Sequence, residues 1–303
     1  EYSGSTGTRR ASIGTFCHEF GHVLGLPDFY DTDYKHYTVS NWDIMCSGSY
    51  NDSGRTPPTY SAYERFYLGW LTPQQLTEKG QYTLTPLTQD AQAYLIASGA
   101  HNLKGDGPSP NEFFLLEYRT RTGWDAYLPG QGMLIWHIDY LPSAWANNTP
   151  NNGPNFLRIH LEEANGISWK DRGSNENGKS SDPYPGTQKV TTFLPKLHDG
   201  TVLSDQNLFD IAENNGWISF IYQGIGDVKL VTDVQELSLT TTVSDNRKIE
   251  DWTPQSFILT AEGLNEDSIT ISTKNNFFVA LGEEHPSRGS KKWKRILGIK
   301  TNG

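Results

Sequence analysis

Apolar positions fall at helical spacing mainly near the start of the chain. Between residues 11 and 25, Ile13, Phe16, Phe20, Val23 and Leu24 recur every three or four positions, which predicts a helix. Gly25 and Pro27 predict its end, the first as a left-handed cap and the second as a stop. A second helix is expected over 59–71, after Pro57-Pro58, from Tyr60, Tyr63, Phe66, Tyr67 and Trp70. From about residue 80 the period shortens to two, and strands are predicted over 82–87, 94–97, 112–118, 132–139, 157–162 and 217–222. Residues 28–56 are irregular and rich in Asp, Asn, Tyr and Gly. Residues 165–190 form a long polar loop, of a length that in compact domains marks function or disorder.

Gly224-Ile225-Gly226-Asp227 reads as a boundary. Beyond it, short alternating runs at 234–239, 255–260, 268–272 and 277–281 suggest a small β-sandwich. The expected division is therefore 1–225, then an Ig-like module over 228–282, then a basic tail over 283–303. That tail carries Lys291, Lys292, Lys294 and Arg295 and is read as disordered. The fold class is α+β.

Composition narrows the picture. The 303 residues allow about two domains of ordinary size. Hydrophobic residues make up only 35%, but nine Trp, fifteen Tyr and thirteen Phe can each bury a large area. A net charge of −10 argues against nucleic acid, whose phosphates need Lys and Arg, and suits an extracellular protein. No run approaches the length of apolar residues needed to span a bilayer. Two cysteines are too few for a disulfide framework. The chain opens on a polar run without a signal peptide, read here as processing or truncation and not as evidence for the cytoplasm.

The first predicted helix carries the chemistry. His18 and His22 lie one turn apart on one face, so both imidazoles can point at a single ion. Glu19 sits about 100° round the helix, out of line as a ligand but able to reach a water on the metal. Gly25, three residues past His22, can take positive φ and turn the chain back so that Asp28 returns to the ion. Two nitrogens, one oxygen and an open position make a catalytic zinc site.

This long His-Glu-x-x-His-x-x-Gly-x-x-Asp motif is followed by Asp43-Ile44-Met45. Together they resemble the metzincins and, within them, the immune inhibitor A family of secreted bacterial metalloproteases. The likeness includes 24–31, the Leu68-Gly69-Trp70-Leu71 helix end, 114–117 with 132–139, and Asp182-Pro183-Tyr184-Pro185-Gly186, and covers residues 11 to about 222. The resemblance implies a metzincin-like core of active-site helix and Met-turn with a β-rich continuation. It implies that Met45 floors the zinc without ligating it, and that Tyr50 is a candidate to support the oxyanion. It permits Ca²⁺ at Asp31, Asp33 and Asp43. Metzincins place a substantial upper subdomain before the active-site helix, whereas seventeen residues precede His18 here.

The function expected is a secreted or cell-surface zinc endopeptidase, a monomer acting on proteins or peptides with Glu19 as general base. The alternative is an inactive protease-derived fragment serving as a binding module. Cys17 and Cys46 come close if the Met-turn lies under the helix, leaving a disulfide and two buried thiols both open. Glu64 is a conceivable metal ligand, with a solvated helix position as the plainer reading. His137 and Asp139 alternate along a strand and are either a cation site or ordinary polar strand residues.

Overall fold

The computed structural model describes residues 12–153, 155–167 and 178–223 with their side chains, and elsewhere the backbone of paired strands. The chain divides into two compact units, Glu1–Gly224 and Ile225–Gly303, each taken by itself. Unit one opens with strands β1 (Tyr2–Ser3) and β2 (Arg9–Arg10), then helices α1 (Gly14–Val23) and α2 (Ala62–Tyr67). Its further strands are β3 (Gln74–Gln75), β4 (Gly80–Leu84), β5 (Tyr94–Ala97), β6 (Glu112–Arg119), β7 (Gly132–Asp139), β8 (Ile159–Leu161), β9 (Leu208–Asn214) and β10 (Trp217–Tyr222). Two short helices, α3 (Leu87–Asp90) and α4 (Pro142–Ala146), fall between them.

A five-stranded sheet runs in the order β3-β5-β6-β7-β8, antiparallel except for β3 against β5. A three-stranded sheet, β4-β10-β9, is antiparallel throughout. Strand β7 is buried along its whole length because both faces of the larger sheet are covered. On one face Phe113, Leu115, Leu134, Trp136 and Ile138 join a core with Phe29, Trp42, Met45, Tyr63 and Phe66. On the other, Phe114, Leu116, Met133 and Ile135 join Leu208, Ile218 and Phe220 of the smaller sheet.

Buried charge ties the first face to α2. Arg119 is fully buried and pairs with Glu117 at 3.2 Å and Asp125 at 2.7 Å. Glu117 also accepts from the Ala62 N–H at 2.6 Å and from Trp136 Nε1 at 2.9 Å. Buried ions need such partners, since removing one strands the other.

Four features differ from, or add to, what the sequence predicts. The second helix is much shorter than 59–71, because Ser61 caps it reciprocally with Glu64 and Gly69, at φ 72°, ends it. Glu64 is completely buried as that cap, neither a solvated position nor a metal ligand. The apolar stripe of α1 faces outward: Phe16 is 72% and Val23 77% exposed, while Gly14, His18 and Gly21 face in. Strand β9 had no expected counterpart.

In unit two the backbone forms three antiparallel pairs. These are β11 (Lys229–Thr232) with β14 (Leu259–Glu262), β12 (Thr242–Val243) with β13 (Ile249–Glu250), and β15 (Phe277–Glu284) with β16 (Lys294–Thr301). The runs expected at 234–239 and 268–272 lie outside the described residues. The basic tail, expected to lack regular structure, has its backbone in strand over β16.

Candidate metal centre

Helix α1 spans ten residues and has no side-chain N-cap, so packing has to hold it in place. Two glycines permit that packing. A Cβ on Gly14 would collide with the Ser49 carbonyl, and one on Gly21 with Met45 Sδ. The inward face of α1 therefore rests directly on the turn that contains Met45, which is fully buried. The Met45 carbonyl accepts from the Phe29 N–H at 2.8 Å, tying that turn to the chain just past the helix.

His18 and His22 project from the same face, their rings edge to face at 4.9 Å. His18 Nδ1 lies 2.8 Å from the Ile44 carbonyl, and His22 Nδ1 2.8 Å from the Leu26 carbonyl. A carbonyl can only accept, so each ring carries its proton on Nδ1 and turns the Nε2 lone pair inward. Gly25 stands at φ 103°, a conformation costly to any other residue, and reverses the chain. The reversal brings Asp28 Oδ1 to 3.1 Å from His18 Nε2 and 3.2 Å from His22 Nε2.

Asp28 Oδ1 is buried and makes no hydrogen bond. Two lone pairs and a carboxylate oxygen aimed at one point repel one another unless a cation lies between them. The three donors thus fit a zinc ion by chemistry and by spacing, all within 4.8 Å of one another. A proton is the competing occupant. Burial opposes charge on His18, yet Asp28 and the Ile44 carbonyl outweigh it and raise its pKa. Burial likewise opposes the Asp28 carboxylate, which His18, Asn148 and His22 nonetheless hold below the usual range.

A distant loop orients Asp28. Asn148 Nδ2 donates to Asp28 Oδ2 at 2.6 Å, and Asn148 Oδ1 accepts from the Asp28 N–H at 2.6 Å. Asn152 repeats the arrangement on Thr32, and Asn151 Nδ2 donates to the carbonyls of Phe29 and Ile159. The ring of Tyr30 stacks on His18 at 6.3 Å, with Tyr34 on its outer side at 5.8 Å. Burial and the nearby Asp28 carboxylate raise the Tyr30 phenol, so it keeps its proton. Sequence reasoning gave neither Asn148 nor Tyr30 a role. Tyr30 lay inside the quoted motif, and Asn148 lay in an Asn-rich run with no spacing to mark it.

The other candidates scatter. Glu19 is exposed on α1 between the two histidines. Tyr50 is 68% exposed. Asp31 is buried and accepts from the N–H groups of Asp33, Lys35 and His36, which occupies its oxygens. Asp33 pairs with Lys35 at the surface, and Asp43 Oδ1 accepts from the Met45 N–H. Among the described residues these three aspartates form no common cation group. Cys17 and Cys46 are free thiols; burial pushes Cys46 up to about 11.

A helix bearing His-Glu-x-x-His, with a carboxylate returned to it across a glycine turn, is an arrangement that metallopeptidases use. Residues 6–71 match the family model of the immune inhibitor A peptidase M6 catalytic domain. The chain is 39% identical over 77 residues to the pre-pro-metalloprotease PrtV of Vibrio cholerae serotype O1. It is 41% identical over 54 residues to immune inhibitor A of Bacillus thuringiensis subsp. alesti. Those matches take in 22% and 16% of this chain and 8% of each relative. The segment that carries the site is of the immune inhibitor A family of metalloproteases. Among the described residues, no helix is long and apolar enough to cross a membrane.

Proposed function

We propose that the chain is the zinc-binding part of a secreted bacterial endopeptidase, with His18, His22 and Asp28 holding the ion. The observation that carries this reading is the buried, unbonded Asp28 Oδ1 flanked by two imidazole nitrogens whose opposite sides are anchored to backbone carbonyls. When bound, zinc supplies Lewis acidity, lowering the pKa of a water and polarising the scissile carbonyl. The chain's own residues supply the rest. Glu19, one residue past a ligand and open to solvent, takes the proton of the attacking water on its carboxylate and returns it to the leaving amine. The Nδ1–H bonds hold both rings at their working angle, and Asn148 holds Asp28. Met45 supports the helix from beneath as the residue of a metzincin-like Met-turn. The second unit fits an accessory β-sandwich in this reading.

The test compares the parent, Glu19→Gln and a chelator-treated sample on a generic protein substrate, with zinc content measured in each. Proteolysis by the parent alone, with zinc retained in the variant, is the expected outcome. Undiminished cleavage by Glu19→Gln refutes its role as base. A zinc-free parent that stays zinc-free in excess metal refutes the site.

A further inference from the structure

The face of the five-stranded sheet turned toward the smaller sheet carries a second cluster of histidines. His137 and His160 stand directly opposite each other on β7 and β8. Their ring centroids lie 4.9 Å apart, the same separation as in the pair on α1. Glu162 Oε1 lies 2.7 Å from His137 Nδ1 and 3.3 Å from His160 Nε2. This repeats the α1 site, where one carboxylate oxygen is flanked by two imidazole nitrogens.

The outer sides of the rings are anchored as well. His137 Nε2 donates to Glu112 Oε1 at 2.9 Å, and a carboxylate behind an imidazole commonly orients a metal-binding histidine. His160 Nδ1 lies 3.2 Å from the Leu157 carbonyl, so its proton sits there and Nε2 offers a lone pair. We propose that His137 Nδ1, His160 Nε2 and Glu162 Oε1 form a second divalent-metal site, selective for a zinc-class ion over calcium.

Two imidazoles with one carboxylate suit zinc, whereas calcium takes six to eight oxygens. With His137 and His160, His198 forms a group whose ligand atoms all lie within 4.8 Å of one another, and its ring nitrogens are buried without hydrogen bonds. It is left out of the first set on geometric grounds. Its ring lies 4.2 Å over His137 at 10° from parallel, and parallel rings cannot aim in-plane lone pairs at one point. In the structure it roofs the site, with Phe156 stacked at 4.2 Å on its outer side. Of the nearby charges, Arg158 is taken up by Asp139 at 2.6 Å, which leaves Glu112 and Glu162 to draw a cation. The competing occupant is a proton, which would make His137 an imidazolium held between those two carboxylates.

Zinc titration of the full chain, read by competition against a chromogenic chelator, separates these outcomes. The parent is expected to bind two zinc ions. The double variant His22→Ala/Asp28→Ala, stripped of the α1 site, is expected to bind one. Adding Glu162→Gln to it is expected to weaken that remaining site at least tenfold, with calcium unable to compete. A double variant that binds no zinc, or a Glu162→Gln change without effect, overturns the proposal. Where Glu162→Gln impairs folding, anomalous scattering at the zinc edge from crystals of the zinc-saturated parent decides. A peak between His137, His160 and Glu162 supports the site, and its absence refutes it.

Discussion

Asn148 lies 120 residues from the carboxylate it holds, and under the proposed zinc site it carries a measurable share of metal affinity. Both of its bonds to Asp28 are 2.6 Å long. The substitution of choice is Asn148→Gly. The residue stands at φ 57°, which glycine adopts freely, so the change removes the side chain without straining the backbone. A hydrogen bond to a charged group is worth about 1.5–3 kcal/mol when nothing replaces it. Asp28 is largely buried, but water can enter the space left by the amide and recover part of that. Loss of a hydrogen bond that orients a metal ligand accordingly weakens metal binding about 10–100-fold, or about 1.4–2.8 kcal/mol. Zinc affinity, measured by chelator competition at neutral pH, should fall within that range while the unfolding transition stays cooperative. Asn152→Gly is the control: it removes the same kind of clamp from Thr32, which ligates nothing, and should change affinity by less than about threefold. An Asn148→Gly protein that binds zinc within twofold of the parent refutes the positioning role.

Three further outcomes follow from the same geometry. Gly25→Ala places a side chain at φ 103° and should cost about 1–3 kcal/mol, with weaker zinc binding because Asp28 depends on that turn; thermal unfolding and metal titration together check it. Met45→Leu keeps the volume beneath Gly21 and should keep full zinc stoichiometry at a cost under about 1.5 kcal/mol, whereas a lost ion would make the sulfur a ligand. Burial pushes the Asp43 carboxyl up from 3.8 to about 6. The folded state then binds this proton more tightly than the unfolded state. The stability it lends is fully present below the unfolded value and is lost as pH rises through about 6. Asp43→Asn should therefore flatten the pH dependence of unfolding as pH rises toward about 6. Urea titrations across that range with unchanged pH dependence would refute this.

The meeting of His18, His22 and Asp28 was legible because helix periodicity and a single glycine fix where three side chains go. Strands 94–97 and 132–139 were legible to the residue because both are largely apolar runs on interior strands of a sheet. Strand β9 was missed because Asp210, Glu213 and Asn214 interrupt its apolar pattern at the sheet edge. Its signal was the Asn215-Gly216 pair, with Gly216 at φ 90°, which closes the two-residue hairpin to β10. Helix α1 was found by its apolar spacing, yet that stripe faces outward, since the glycine face makes the closer approach to the protein. Glu64 looked like a surface residue because no sequence pattern reveals a buried carboxylate. That burial is a tertiary effect, and together with the neighbouring Asp43 it raises the Glu64 pKa well above the usual value.

The centre is therefore encoded in two places of different kinds. Residues 18–28 specify which atoms meet, and they lie within the stretch that matches the peptidase family. What holds those atoms in place comes partly from outside it. Asn148 fixes Asp28 and Asn151 fixes Phe29, and Asn151 is itself held through the N–H and carbonyl of Ile159 on β8. A ten-residue helix is marginal in water, and the rest of its support is the Met45 turn, packed in one core with Trp136 and Ile138 of β7. The same two strands, β7 and β8, carry His137 and His160 on their opposite face. An ion at the second cluster would cross-link β7 to β8, the framework on which Asn151 and the loop that clamps Asp28 are mounted.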